Sequence, residues 1–237
     1  MNNIIAFGGF RDTGKDVSSD MLVYMLNTPK FMHNYTMYKL FGSIIKGPWK
    51  KTSFAKPLKQ VLSVMFNVPV EKFEDREFKE SYIVNLNTLE IKPIYQISDI
   101  IRDLITDNQF SRAIKNKDYD FIKSKWITIR QSLQYIGTEC MRQFISNDLW
   151  INATLRNPGK MIISDLRFKR EFDIISERDG ILIYIDRPNR YAGNHASERE
   201  VLELYNNGMF KYVIHNDGTL KDLFYKIKDG ISRTICQ

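Results

Sequence analysis

Residues Gly9 to Asp16 read GFRDTGKD and follow the apolar run Ile4 to Phe7, IIAF. The run predicts a short buried strand, and Asp16 to Asn27 predicts the first helix. Gly9, Gly14 and Lys15 carry the spacing of G-x-x-x-x-G-K. In such a loop the backbone N–H groups turn inward around a phosphate, and the lysine reaches the outer phosphates. The helix N-terminus behind the loop adds its dipole. Gly9, Arg11, Asp12, Thr13, Gly14, Lys15, Asp16, Val17 and Ser18 are therefore the candidates for holding a nucleoside triphosphate. Asp16 stands where a serine or threonine commonly binds Mg²⁺. A carboxylate there can hold the metal directly or through water, or Ser18 or Ser19 takes part. A glycine-rich helix entry without a ligand is the alternative reading.

Working outward, three more apolar runs each end in polar residues. Met161 to Ser164 ends at Asp165-Leu166-Arg167, Ile181 to Ile185 at Asp186-Arg187-Pro188, and Tyr212 to Ile214 at Asn216-Asp217-Gly218. Read as buried parallel strands, they put these residues on the sheet edge that carries the loop, where open α/β sheets bind ligands. Asp165 can orient Mg²⁺, and Arg167 can hold an anionic group bidentately. A structural ion pair capping the next helix is the plainer reading of the two. Glu171 falls on the face of that helix turned to the strand end. Asn216 can touch the donor, or the Asn216–Thr219 turn simply caps a helix.

The middle of the chain reads as helical. Pro57 to Phe66, Asp99 to Lys117, Thr128 to Phe144 and Asp148 to Leu155 have helical spacing, and Asn85 to Tyr95 fits a strand or hairpin. Lys51 to Phe54 fits a second strand. Lys30 to Trp49 is aromatic and irregular, which fits an insertion. Arg130 and Gln134, four apart, share a helix face and suit a phosphate and a base edge, or an exposed polar face. Lys59 is a phosphate candidate or a surface lysine, and Arg76 and Lys79 lie in a charged run of the solvated kind. Arg187, Arg190 and His195 lie in a polar stretch with Pro and Gly that suits a lid over transferring phosphates, or a surface loop.

The 237 residues are 43% apolar, enough for one α/β domain with a core. The net charge of +7 comes from Lys and Arg spread along the chain, which favours scattered phosphate contacts over a nucleic-acid stripe. No run is long and apolar enough to span a membrane, and the start does not read as a signal peptide. The two cysteines, Cys140 and Cys236, lack metal spacing and read as free thiols of a reducing, cytoplasmic compartment.

The pattern resembles the deoxynucleoside monophosphate kinases of large tailed phages and large DNA viruses, P-loop kinases distantly similar to animal phosphomevalonate kinases. The blocks are GFRDTGKD, AKPLK at Ala55 to Lys59, RQSLQYIGTE at Arg130 to Glu139, NDLWI at Asn147 to Ile151, SDLRFKREFD at Ser164 to Asp173, DRP at Asp186 to Pro188, HASE at His195 to Glu198, and NDGTLKDLF at Asn216 to Phe224. The family also carries Asp after Gly-Lys, often followed by a hydroxyl residue where this chain has Val17. The resemblance implies a three-layer P-loop fold: a parallel sheet flanked by helices, with an insertion near 30–51, an acceptor-binding region over 55–155 and a lid over 187–200. It implies ATP, Mg²⁺, a deoxynucleoside monophosphate acceptor and a homodimer as one assembly. It places Gly14, Lys15, Asp16 and Ser18 at ATP. Near the monophosphate it places Leu58, Lys59, Arg76, Arg130, Gly137, Thr138, Trp150, Asp165, Arg167 and Glu171, with Arg11 and Gln134 beside them. Asp16 and Asp165 are the expected metal ligands, and Lys15, Arg167, Arg187 and Asp165 the expected catalytic set. A kinase of another phosphorylated acceptor, and a nucleic-acid-stimulated NTPase, are the competing readings.

Overall fold

The computed structural model describes residues 3–94, 116, 126–189 and 196–234. The chain divides into two compact units, Met1–Phe54 with Thr154–Gln237, and Ala55–Ala153.

The first unit is built on five parallel strands. They are β1 (Ile4–Gly8), β2 (Trp49–Thr52), β6 (Lys160–Leu166), β7 (Ile181–Asp186) and β8 (Tyr212–His215), in the order β2-β6-β1-β7-β8. β1 sits in the middle, so the loop leaving its C-terminal end opens between the ends of β6 and β7. Every residue of β1 is buried, as a strand covered on both faces must be. On one face Ile5, Phe7, Ile162, Ile183 and Ile214 pack against Met21, Leu22, Tyr24 and Met25 of the helix Lys15–Asn27 and against Leu223, Phe224 and Ile227 of the helix Leu220–Thr234. Phe172 of the helix Lys169–Glu177 meets Phe210 edge to face, and Phe210 lies against Tyr184 of β7. Tyr184 in turn stacks on Tyr205 of the helix Ala196–Asn206, with centroids 4.2 Å apart.

The second unit has its own core. Leu58, Leu62 and Phe66 of the helix Ala55–Phe66 pack with Phe73, Phe78, Val84, Ile127, Ile129, Tyr135, Ile136 and Trp150. Its small antiparallel sheet runs β4 (Ile91–Pro93), β3 (Tyr82–Asn85), β5 (Trp126–Thr128). Cys140 is a free thiol here, and burial raises its pKa.

Several sequence expectations need correction. The aromatic 30–49 stretch is not wholly irregular. Asn34 accepts a hydrogen bond from the Met37 N–H at 2.9 Å and caps a helix over Tyr35–Phe41, whose Tyr35 and Tyr38 pack on Phe224. The second strand lies two residues earlier than expected, because Trp49 begins its pairing at Lys160. The charged run contains a helix, Arg76–Ser81, held by buried Phe78. The hairpin expected over 85–95 begins earlier, at Tyr82. The 128–144 helix is two segments: Ile129–Gln134 is α-helical, started by a Thr128–Gln131 capping box, and Tyr135–Arg142 is wound as a π-helix. The segment Ala196–Asn206, unassigned from sequence, is a helix. The helix expected over Asp99–Lys117, with Arg190, His195 and Cys236, lies outside the described residues.

Candidate active site

The loop after β1 folds as its glycines require. Gly9 has φ +143° and Gly14 φ +100°, backbone that side chains resist. A Cβ on Gly9 would lie 2.6 Å from the Ile185 carbonyl oxygen, and one on Gly14 would lie 2.7 Å from Asn216 Nδ2. Gly9→Ala therefore meets both a forbidden φ and a rigid backbone atom. It is expected to lower the stability of this unit by about 3 kcal/mol in urea unfolding. Wild-type stability would show that the loop takes another course.

Polar contacts tie the loop down. Thr13 Oγ1 donates to the Phe10 carbonyl at 2.9 Å, and buried Asn216 donates through Nδ2 to the Thr13 carbonyl at 2.9 Å. Asn216 thus serves the loop, while Thr219 and Asp222 form the reciprocal cap of the last helix at 2.8 and 3.2 Å. Arg187 reaches the Asp12 carbonyl at 3.4 Å. Arg11 and Asp12 are exposed, and their side chains approach to 3.8 Å.

Lys15 is buried, and its ammonium donates to the Phe10 carbonyl. Burial first, and then the charge of Arg167, push its pKa down to about 7. The carboxylates of Asp16, Glu198 and Asp165 act in the opposite direction. Lys15, Arg167, Asp165, Asp16 and Glu198 therefore form one interacting set of charges at the edge of the sheet.

Asp165, at the end of β6, accepts the Phe54 N–H at 2.7 Å. Glu171 is buried, and its Oε2 accepts the N–H groups of Arg167 and Phe168 at 2.9 and 3.1 Å. The helix cap that is the alternative reading of Asp165 and Arg167 is thus made by Glu171, which fixes the backbone that carries Arg167. Asp16 projects outward and meets Lys51 of β2 at 3.5 Å, while Lys51 also reaches Asp20 at 3.0 Å. Val17 is half-buried. The Ser18 hydroxyl is fully buried and, among the described residues, without a hydrogen-bond partner, one residue ahead of Ser19, which bonds the Lys15 carbonyl at 2.8 Å. Neither Lys51 nor Glu198 was singled out from sequence. Their partners, a loop carboxylate and a loop amide, are far off in the chain.

In the second unit, Leu58, Gly137 and Trp150 meet. A Cβ on Gly137 would lie 2.5 Å from Leu58 Cδ2, and Trp150 Nε1 donates to the Gly137 carbonyl at 2.9 Å. This junction lies inside the π-helical turn, a winding often found at functional sites. Arg130 and Arg76 converge on Glu80, at 3.1 and 3.5 Å from its Oε1. Lys59 pairs with Glu74 at 2.7 Å. Gln134 is exposed, and Thr138 is half-buried next to Gly137.

A family model described as deoxynucleotide monophosphate kinase matches residues 3–227. The chain belongs to the deoxynucleotide monophosphate kinase family. A putative deoxynucleotide monophosphate kinase of Acanthamoeba polyphaga mimivirus is 30% identical over 141 residues, which cover 52% of this chain and 72% of that protein. The deoxynucleoside-5'-monophosphate kinase of Escherichia phage T5 is 25% identical over 149 residues, 54% of this chain and 59% of that protein. The five-stranded parallel sheet flanked by helices is the P-loop kinase architecture expected of this kinase family. Among the described residues, no helix is long and apolar enough to cross a membrane.

Proposed function

We propose that the protein transfers the terminal phosphoryl group of ATP to the 5′-phosphate of a deoxynucleoside monophosphate. The observation that carries this reading is the buried Lys15, set in a loop whose glycines hold positive φ, beside Arg167 and Asp165 on one sheet edge. Family membership supplies the acceptor class.

Phosphoryl transfer is mostly positioning and charge neutralisation. The loop amides and Lys15 hold the donor's outer phosphates. Arg167, its backbone fixed by Glu171, binds the acceptor phosphate. Arg187, at the end of β7, offsets charge on the group in transit. The acceptor phosphate is already anionic, so no general base is needed. Within the second unit, the family resemblance makes Arg130, Arg76 and Gln134 the candidates for polar contacts with the acceptor, and Leu58, Gly137, Thr138 and Trp150 the candidates for its apolar ones.

Mg²⁺ fits the residues present. It typically takes one or two protein carboxylates and completes its shell with phosphate and water. Asp165 supplies one such ligand, and Asp16 supplies another on leaving Lys51; the buried Ser18, two residues on in the same helix, faces away from Asp16. When bound, the ion neutralises charge between adjacent phosphates.

The Lys15 environment gives a pH signature. In the free protein its pKa is about 7, and a bound polyphosphate raises it. At pH 8 most free molecules hold Lys15 neutral, so ATP binding takes up most of a proton. The Lys15 contribution to ATP affinity falls up to about tenfold per pH unit above 7 and is level below it. Calorimetry in buffers of different ionisation enthalpy measures the uptake. Its absence in the wild type, or its persistence in Lys15→Met, would contradict this role.

Transfer itself is tested with γ-labelled ATP and a deoxynucleoside monophosphate. Label appearing in the diphosphate supports the reading. Label released only as inorganic phosphate, unaffected by the monophosphate, would overturn it.

A further inference from the structure

Glu198 lies in the first turn of the helix Ala196–Asn206, remote in sequence from the phosphate loop. Its Oε1 nevertheless accepts the backbone N–H of Arg11 at 3.3 Å. Its charge also acts on Lys15. A loop amide and the loop lysine are the groups that such a motif offers to phosphate oxygens. A carboxylate on them is chemically a stand-in for phosphate: an anion with oxygens that accept N–H bonds.

The rest of the helix is fixed independently. Val201 and Leu204 are buried, and Tyr205 stacks on Tyr184. Glu200 accepts the Lys169 N–H at 2.9 Å, just past Arg167. The helix body thus stays with the sheet, while the Glu198 side chain reaches the loop.

We propose that Glu198 is a resident counter-anion of the phosphate loop, holding the Arg11 amide in the nucleotide-free protein and giving it up to the donor's outermost phosphate. This rests on the reading of the loop as the donor site. Two anions at hydrogen-bond distance from one amide repel each other, so donor entry displaces the carboxylate. Glu198 then acts against premature occupation of the loop and lowers its affinity for every outer phosphate. Its effect grows with the number of phosphates that reach Arg11.

The test is calorimetric titration of the whole chain with ATP, ADP and pyrophosphate, using wild type, Glu198→Gln, Glu198→Ala and Glu200→Gln. Both Glu198 variants are expected to bind ATP on the order of tenfold tighter, and ADP with a clearly smaller gain. Glu200→Gln, on the same helix, is expected to keep wild-type ATP affinity and to lose thermal stability. Unchanged or weaker ATP binding in whichever Glu198 variant folds would overturn the proposal. So would an equal gain for ADP, or an equal gain from Glu200→Gln, since either would mean a general charge effect. A wild type that binds none of the three ligands would instead remove the donor-site reading, and the proposal with it.

Discussion

Lys15→Ala is expected to lower phosphoryl transfer by about 10³-fold or more while leaving the protein folded. The chemical reason is that Lys15 is the buried cation of the loop, and alanine leaves the outer phosphates without it. The folding reason is the direction of its pKa. A lysine held at about 7 in the folded chain and near its ordinary 10.5 when unfolded penalises folding for as long as the folded chain must bury it charged. That penalty is full below pH 7 and fades as pH rises from 7 to 10.5. Removing the ammonium lifts it, so the variant should melt no lower than wild type at pH 6. The loss of the hydrogen bond to Phe10 works in the other direction and is worth about 1–3 kcal/mol. Activity within a few-fold of wild type would sink the loop assignment. A fall in melting temperature of many degrees at pH 6 would mean that Lys15 holds the loop together instead of serving its ligand.

Arg167→Ala is expected to reduce kcat/KM for the acceptor by roughly 10²-fold, with ATP binding changed by only a few-fold. Glu171 holds the Arg167 backbone through its N–H, so truncating the side chain leaves the strand end in place. A second effect is predicted on the same variant. The Arg167 charge is one cause of the lowered Lys15 pKa, so its removal moves that pKa upward and reduces the proton uptake on ATP binding at pH 8. Steady-state kinetics with varied acceptor, beside calorimetry with ATP, separates the two. A loss confined to ATP binding would move Arg167 to the donor side.

Much of the sheet was legible because its strands are buried on both faces and so read as unbroken apolar runs. IIAF, MIIS and ILIYI each fall within an observed parallel strand. The loop was legible because its glycines are needed for backbone reasons that spacing alone encodes. The helix over Tyr35–Phe41 was not, because its aromatic residues answer to Tyr24 and Phe224 rather than to a helical period of their own. The break at Tyr135 was hidden too, since a π-turn changes the winding without changing the residue types that favour a helix.

At the site, the residue types were readable and their partners were not. Asp165 and Arg167 were readable as site candidates, with a helix cap as the alternative, but not that Glu171 would make that cap. Asn216 was readable as a donor contact or part of a capping turn, but not as the amide that holds the phosphate loop from more than two hundred residues away. Lys51 and Glu198 gave no local signal, because what they touch is set by the strand order and not by their neighbours in sequence.

The central claim is tested most directly by a coupled ADP-release assay with ATP and Mg²⁺. The eight common ribo- and deoxynucleoside monophosphates and phosphomevalonate are each supplied in turn. Turnover with at least one deoxynucleoside monophosphate, absent from Lys15→Ala and from the phosphomevalonate tube, is the predicted result. Turnover with phosphomevalonate alone, or silence with all nine acceptors from protein that still binds ATP, would contradict it.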